Sequence, residues 1–343
     1  MAKLSAAFTV AAAAPLFDVL DPDERDQVAG VIQGVADFNE PTLRYCTEMV
    51  STLYRQSNAL GPHLAMPGTL GYREIARNLA KAAPPEFRQQ ALSVYAELTR
   101  LVGWMHFNLG DYRSAQHYYE DARSAAHDAQ DFELVMFALC SMSLLAIWDG
   151  RAPTGIDHAI AAQSWASRTG DPRVQGCAAD FAARTFAADR QTFFCYQALD
   201  DAQAAAASME SGTSGPRWES LYWDESVVWR TMSGCALQLG EPDRVLDTAS
   251  RYLTVADPTD VHNCSFTQLD QAGAFVQKKE IAEAGRVTGE VAARTAAYTS
   301  ARIDQRLTEL RAALSPWQGS KPVRELDDVL ATYHRSPSRS HSL

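Results

Sequence analysis

The sequence lacks the cysteine arrangement that metal sites and disulfide-rich domains require. Its six cysteines are isolated from one another, and none belongs to a C-x-x-C pair: Cys46, Cys140, Cys177, Cys195, Cys235 and Cys264. Structural zinc sites need closely spaced cysteine and histidine ligands, and disulfide frameworks need paired cysteines. Most of these cysteines lie in apolar helical segments, so we expect buried free thiols in a reducing, cytoplasmic environment and no bound metal.

Basic charge and long apolar runs are also scarce. The chain has 31 basic and 42 acidic residues, for a formal net charge of −11. This balance repels a phosphate backbone unless the basic groups are segregated, and no such segregation is visible. No stretch is long and apolar enough to span a bilayer. We therefore expect neither direct nucleic-acid binding by this chain alone nor membrane insertion.

Motifs for catalysis are missing as well. There is no G-x-S-x-G elbow, and the Gly-rich stretch SGTSGP at 211–216 follows a helix and lacks the lysine of a phosphate loop. Adjacent acids such as Asp224 and Glu225 diverge around a helix, so they cannot hold one substrate together. His106, His117 and His127 do not have the spacing of a metal-binding pair. The sequence thus predicts a protein that is not an enzyme and that uses no cofactor.

The first 20 residues allow two interpretations. Lys3 is followed by LSAAFTVAAAAPLF, which resembles a short secretory signal. The alternative is an Ala-rich connector helix that ends near Pro15, which we favour because the charged region is one lysine and the apolar part is mild. Asp21 and Pro22 then provide an N-cap and a first helical residue for a helix reaching about Val35.

Residues 99–129 carry the pattern that indicates the architecture. They read as two antiparallel helices joined by the turn at 109–112, with Gly103, Ala115 and Ala122 where the helices must touch and with Trp104 and Tyr119 beside them. Small and aromatic residues at such offsets within a helix-turn-helix unit are typical of the tetratricopeptide repeat (TPR). Strand-like alternation is missing. The predicted fold is all-α, a right-handed α-solenoid of TPR-like helical hairpins.

Similar hairpins recur along the chain. The steps between successive turns are 40, 39, 51 and 39 residues, with the turns marked by Gly110, Gly150, Asp189, Gly240 and about Lys279. These steps exceed the roughly 34 residues of a plain TPR unit, which predicts longer helices or loops. The SGTSGP loop accounts for the longest step, and the first helix of the fourth unit is predicted to run over 218–240.

The pattern divides the chain into three parts. We assign 1–36 to the connector and an N-terminal helix, 37–320 to the TPR-like repeat domain, and 321–343 to a C-terminal helix and a disordered tail. Within the repeat domain we expect a linker around Met66-Pro67-Gly68, because Pro67 should separate the helix that ends at Gly61 from one that begins near Tyr72.

Three stretches together resemble a known group of proteins. They are LDPDER at 20–25, LVGWMHFNLGDYRSAQHYYEDARSAAHDAQD at 101–131, and RLTELRAALSPWQGSKPVRELDDVL at 306–330. Over about residues 20–333 the chain resembles the TPR half of actinobacterial helix-turn-helix regulators of the Xre type. Members of that group usually carry a DNA-binding domain ahead of this half, and the residues before Asp21 leave no room for one. The resemblance implies a sensor that acts through a separate regulator, or through a DNA-binding module of a longer chain.

The first helix of each hairpin lines the concave face of a TPR solenoid. We align Gly103 with the small residue of that first helix and apply the same position to the later hairpins. This alignment predicts a ligand-binding groove formed by Arg100, Trp104, Phe107, Asn108, Phe137, Leu144, Trp148, Arg230 and Gln238. Arg100, Trp104 and Asn108 stand four residues apart and share one helical face. Such a face can hold a carboxylate, an aromatic group and a peptide backbone. In the alternative interpretation the tryptophans pack against neighbouring helices and Arg100 is solvated.

Two functions compete at this stage. The first is a cytoplasmic regulatory protein whose groove captures a peptide, a small molecule or a segment of a partner protein and so controls transcription through a DNA-binding protein. The second is a structural scaffold or homodimeric assembly protein that takes no small ligand, because the chain's own terminal segments fill the concave face.

Overall fold

The protein is built from helices alone in the part of the chain that its computed structural model describes, residues 22–32, 36–209 and 218–336. No β-strand occurs among these residues. The fifteen helices are α1 (Pro22–Ile32), α2 (Glu40–Leu60), α3 (Pro62–Ala82), α4 (Pro85–Asn108), α5 (Tyr112–Asp128), α6 (Phe132–Trp148), α7 (Ala152–Ala166), α8 (Pro172–Ala188), α9 (Thr192–Ser208), α10 (Glu225–Leu239), α11 (Pro242–Val255), α12 (Val261–Lys278), α13 (Ile281–Arg294), α14 (Ala301–Ala313) and α15 (Lys321–His334). Two 3-10 turns are at Glu219–Leu221 and Ser315–Trp317.

Consecutive helices pack in pairs. The main pairs are α4 with α5, α6 with α7, α8 with α9, α10 with α11, and α12 with α13. In addition α2, α4, α6, α8, α10 and α12, which we call the inner helices, each contact the next member of that series, and α12 also contacts α2. The arrangement is consistent with a repeat array. The contact between α12 and α2 also brings a late helix of the chain against an early one.

The turns within the pairs lie where the sequence places them. A residue one or two positions after the end of each first helix adopts a left-handed conformation, which allows its amide to bond back to the last helical carbonyls. The φ angles are 81° at Gly110, 72° at Gly150, 57° at Arg190, 79° at Gly240 and 62° at Lys279. Four of the five predicted markers are confirmed, and in the third pair the left-handed residue is Arg190, because Asp189 is still at φ −89°.

The close contact predicted for residues 99–129 is confirmed. A Cβ atom on Gly103 would lie 2.7 Å from the ring of Tyr119, and this tyrosine is fully buried. Ala115 and Ala122 are buried at the same interface, with 0% and 2% of their surfaces exposed. Small side chains therefore let α4 and α5 approach, and Tyr119 fills the space beside them.

The predicted linker around Pro67 is wrong. α3 begins at Pro62 and continues through Pro67 to Ala82, although a proline removes one helical hydrogen bond. Ala65, Thr69 and Tyr72 are buried on one face on both sides of this proline. Burial of that continuous face outweighs the local penalty, because tertiary packing supplies most of the stability of a helix.

The fourth unit also begins later than its sequence predicts. Residues 218–224, expected to be helical, contain a 3-10 turn, and α10 begins only at Glu225. Asp224 caps that helix by accepting hydrogen bonds from the amides of Ser226 and Val227. Trp218 and Trp223 are buried, with 1% and 2% of their surfaces exposed. The segment therefore contributes two large side chains to the interior from a non-helical backbone.

The apolar core falls into a large cluster that spans α1 to α10, a second cluster formed by residues of α12 to α15, and a small third cluster of Ala236, Val245 and Ala274. All six cysteines are buried free thiols. The predicted connector at 1–20, the SGTSGP loop and the closing residues 337–343 lie outside the described residues. None of the helices in the described ranges combines the length and apolarity needed to cross a bilayer.

Candidate functional site

A cavity of about 540 Å³ lies between the inner helices. Every inner helix contributes to its wall, together with the end of α11, the segment 218–224 and the loop 256–260. Among the described residues, α5, α7 and α9 contribute nothing to it. Its volume is in the range of sites that enclose a small organic ligand.

The structure separates the nine predicted groove residues into two sets. Five of them line the cavity: Arg100, Trp104, Phe137, Leu144 and Arg230. The other four do not: Phe107 and Asn108 are buried in packing, Trp148 is partly buried, and Gln238 is exposed. Trp104 lies between the two sets, because it also contacts Phe107, with ring centroids 5.7 Å apart.

Arg100 is already paired within the wall of the cavity. Its Nε and Nη2 donate to the two carboxylate oxygens of Glu97, each at 2.7 Å. Both residues are buried, at 3% and 0% exposure. The Ser220 hydroxyl also donates to Glu97, and the guanidinium lies 4.3 Å from the centre of the Phe137 ring. The charge that the sequence analysis assigned to a ligand carboxylate is therefore neutralised inside the protein.

A second pair in the wall was missed from the sequence. Arg184 Nη2 donates to Asp180 Oδ2 at 2.9 Å, and Arg184 Nε donates to the hydroxyl of Thr231 at 2.9 Å. Asp180 is fully buried, and its Oδ1 has no hydrogen-bond partner among the described residues. The two residues stand four apart on α8, the first helix of the third pair. An ionic pair at that spacing in an Ala-rich helix was the available signal.

Arg230 is bonded differently from the other cavity arginines. Its Nη1 donates to Asn263 Oδ1, and its guanidinium lies 5.9 Å from the centre of the Tyr252 ring. Asn263 in turn donates to Asp260 Oδ2 at 2.7 Å. Within the described ranges Arg230 forms no direct ion pair with a carboxylate. A guanidinium has five N–H donors, so most of those on Arg230 remain available at the cavity wall.

Three of the four remaining predicted groove residues, Phe107, Asn108 and Trp148, contact an arginine of the same chain. Arg302, at the start of α14, is 5% exposed and donates to Asn108 Oδ1 at 3.1 Å. We call the four rings around it the arginine cage: Phe107, Trp148, Phe266 and Trp104, whose centroids lie 4.2, 4.3, 4.7 and 5.5 Å from Arg302 Cζ. Burial lowers the pKa of Arg302 to about 9, so it stays positive at neutral pH.

His262 connects the cavity with the arginine cage. Its ring lines the cavity and lies 5.4 Å from the ring of Trp104 and 4.9 Å from that of Phe266. Its Nδ1 is 3.2 Å from the hydroxyl of Tyr298. Burial, with further repulsion from Arg302 and Arg230, lowers the pKa of His262 well below its ordinary value. The imidazole is therefore neutral, and it acts as a polar wall between two positive groups.

The rim of the cavity is acidic. Its exposed members are Arg55, Ala59, Tyr222, Val255, Asp257 and Thr259. Glu219, Asp224 and Asp260 lie beside them and are partly exposed. Arg55 pairs with Glu219 at 2.8 Å, whereas Asp224, Asp257 and Asp260 accept hydrogen bonds from backbone amides. Several carboxylates thus lie at the entrance of the cavity, and Arg55 is the arginine that lies among them.

Two further observations concern metal binding and similarity to known proteins. No group of three or more histidine, cysteine, aspartate or glutamate side chains in the described part of the chain could hold a metal ion. No protein-family model and no curated protein matches the sequence. The fold and the site therefore define an all-helical protein with sequentially paired helices around an internal cavity, and no family is assigned.

Proposed function

We propose that this protein is a regulatory binding protein that captures a small molecule or a short peptide in the cavity between its inner helices. The observation that carries the proposal is that one cavity is lined by all six inner helices. A ligand there contacts several hairpins at once. It therefore stabilises one relative arrangement of the hairpins. Binding in this way changes the surface that the protein presents to a partner.

We further propose that the helices form a right-handed solenoid of TPR-like hairpins. Supporting this are the sequential pairs, the contacts from each first helix to the next, and the left-handed turns at steps of 40, 40, 50 and 39 residues. The resemblance of residues 20–333 to the sensor half of Xre-type regulators supports a role in controlling transcription. In that role the protein acts through an attached or associated DNA-binding protein and performs no catalysis of its own.

One observation favours the second candidate, a scaffold or homodimer without a small ligand. The chain's own residues occupy part of the inner surface, because Arg302 fills the arginine cage and the hydroxyl of Ser300 donates to the carbonyl of Asn108 at 3.4 Å. These contacts cover the part of the inner surface that Phe107, Asn108 and Trp148 form. It leaves the cavity around Arg230 accessible, so the first candidate remains the better supported one.

Blocking the cavity tests the proposal. Val227 lines the cavity on α10, and Gln238 is exposed on the same helix and does not line it. Val227→Phe should abolish the rise in melting temperature that a bound compound or short peptide causes, whereas Gln238→Phe should preserve it. Light scattering of the same samples reports assembly. Stabilisation by ligand that survives in Val227→Phe, with the variant's own melting unchanged, would contradict the proposal.

A further inference from the structure

The four arginines of the cavity are not equivalent. Arg55, Arg100 and Arg184 each form an ion pair, with Glu219, Glu97 and Asp180 respectively. Arg230 has no carboxylate partner in the described ranges and reaches Asp260 only through the amide of Asn263. A guanidinium that lies near Asp180 and Asp260 but forms an ion pair with neither keeps donors that can bind an anion with two parallel hydrogen bonds.

The surroundings of Arg230 suit such an anion. It is partly buried on α10, and its nearest ring belongs to Tyr252, which is 7% exposed. In this setting a charged hydrogen bond is weakly screened and stronger than one at the open surface. The hydrogen bond to Asn263 fixes the side chain without using most of its donors.

The charge of the whole cavity limits the anion to a single negative charge. The lining contains four arginines but five acids, and Glu97 adds a sixth carboxylate behind Arg100. Asp224, Asp257 and Asp260 stand at or beside the rim, which any ligand must pass. A phosphate or a polyphosphate would meet more repulsion than attraction here, whereas a monocarboxylate needs only the one free guanidinium.

The rest of the wall favours an apolar body on that carboxylate. Phe137, Leu144, Phe181 and Trp223 line the cavity, and Trp104 and Tyr54 complete the aromatic surface. Aromatic and aliphatic walls with one polar anchor are typical of sites for small amphipathic ligands.

We propose that the cavity binds a small organic monocarboxylate with an aromatic or aliphatic body, and that Arg230 binds the carboxylate. This inference rests on the proposed function, because it names the class of ligand for that same site. Arg230 then acts as the anchor that orients the ligand, and the acidic rim rejects multiply charged anions.

Calorimetric titration of the full chain tests the inference with four monocarboxylates, each paired with its neutral amide: 3-phenylpropanoate, indole-3-acetate, hexanoate and cyclohexanecarboxylate. We expect at least one acid to bind about tenfold or more tightly than its amide, which is the usual loss when a charged hydrogen bond is removed. Arg230→Gln should bring that ratio close to one without weakening the amide. Arg251→Gln removes a charge from an exposed pair on α11 and should leave the ratio unchanged. Inorganic phosphate should not compete.

The outcomes separate the ligand class from the cavity itself. Equal binding of acid and amide, a ratio that survives in Arg230→Gln, or competition by phosphate would overturn the inference. If acid and amide bind equally and Val227→Phe abolishes both, the cavity is a binding site and only the ligand class is wrong. If none of the eight compounds binds at millimolar concentration, the monocarboxylate inference is wrong, and melting-temperature shifts with other small molecules and short peptides, compared between Val227→Phe and Gln238→Phe, decide the proposed function.

Discussion

Arg302 and Arg230 both lack an ion pair with a carboxylate within the described residues, yet they occupy contrasting surroundings. Arg302 is enclosed by the arginine cage and donates to Asn108. Arg230 lies at the wall of the cavity and donates to Asn263. The first charge is stabilised by rings of its own chain, while the second keeps donors available. One residue type thus fills one part of the inner surface and leaves hydrogen-bond donors available at another.

The largest effect on stability should come from removing the enclosed arginine. Arg302→Ala should lower the free energy of unfolding by about 3 kcal/mol, because it leaves a cavity between four rings and removes a desolvated cation–π contact. Urea denaturation measures the loss, and emission from Trp104 and Trp148 should change in the folded state. Gln305→Ala, exposed on the same helix, is the matched control. Arg302→Met keeps much of the volume and should lose less, so equal losses in the two variants would contradict the role of packing.

Asp270, four residues after Phe266 of the arginine cage, predicts that the stability of the protein depends on pH. Asp270 on α12 pairs with Arg306 on α14 at 3.2 Å, and burial, which outweighs the attraction of Arg306, raises its pKa from 3.8 to about 6. The folded protein therefore holds this proton more tightly than the unfolded chain does. The stability that it provides is complete below about pH 4 and is lost as the pH rises through about 6.

Asp270→Asn should remove that dependence. The stability of the variant minus that of the wild type should rise by about 2 kcal/mol between about pH 4 and pH 7, as expected for a shift of this size. Urea denaturation across that interval measures it. Asp328→Asn, exposed on α15, should show no such trend. A difference that stays flat or falls with pH would mean that burial does not dominate at Asp270.

The wall of the cavity can be disturbed at Trp223 without changing Arg230. A Cβ atom on Gly176 would lie 2.1 Å from Cη2 of Trp223, so Gly176→Ala must displace the indole. We expect a net loss of about 1 to 2 kcal/mol, since overpacking is partly offset by the better helix propensity of alanine. Gly234→Ala is the control, because its nearest contact is an ordinary 3.5 Å. If Gly176→Ala melts like the wild type and binds ligand normally, Trp223 does not shape the cavity.

The smallest effect on stability should come from Arg230 itself. Arg230→Gln should change the free energy of unfolding by only about 0.5 kcal/mol, because no carboxylate is left without a partner. Comparison with Arg302→Ala by urea denaturation gives the contrast directly. Similar losses from the two substitutions would show that Arg230 is a structural residue, and the distinction between the two ends would disappear.

The helical hairpins could be predicted because their signals are local. Gly103 and Ala115 mark a close helix contact, and Gly110 and Gly240 end helices where the pattern places them. The failures at Pro67 and at residues 218–224 have one cause. In each place burial of a particular face or of two tryptophans decided the backbone, and such burial depends on partners far away in the chain.

The candidate site was only partly predictable for the same reason. The offset along first helices located Arg100 and Trp104 at the cavity, but it could not show that Glu97 already pairs with Arg100. Asp180 and Arg184 escaped attention because their importance comes from facing α10, where Thr231 accepts a hydrogen bond from Arg184. Spacing shows that Glu97 with Arg100, and Asp180 with Arg184, can pair within one helix, whereas the contact from Arg184 to Thr231 depends on how two helices meet.

The amino-acid sequence by itself determined an all-helical chain, the limits of most hairpins and the residues on which neighbouring helices touch, because caps, turns and apolar periodicity act over a few residues. Only the tertiary structure decided which arginine is enclosed and which is available. Arg302 meets Asn108 across 194 positions of the chain, and α12 returns to α2 to close the ring of inner helices. Contacts over such separations follow from the summed geometry of many helix pairs, which no short stretch of sequence encodes.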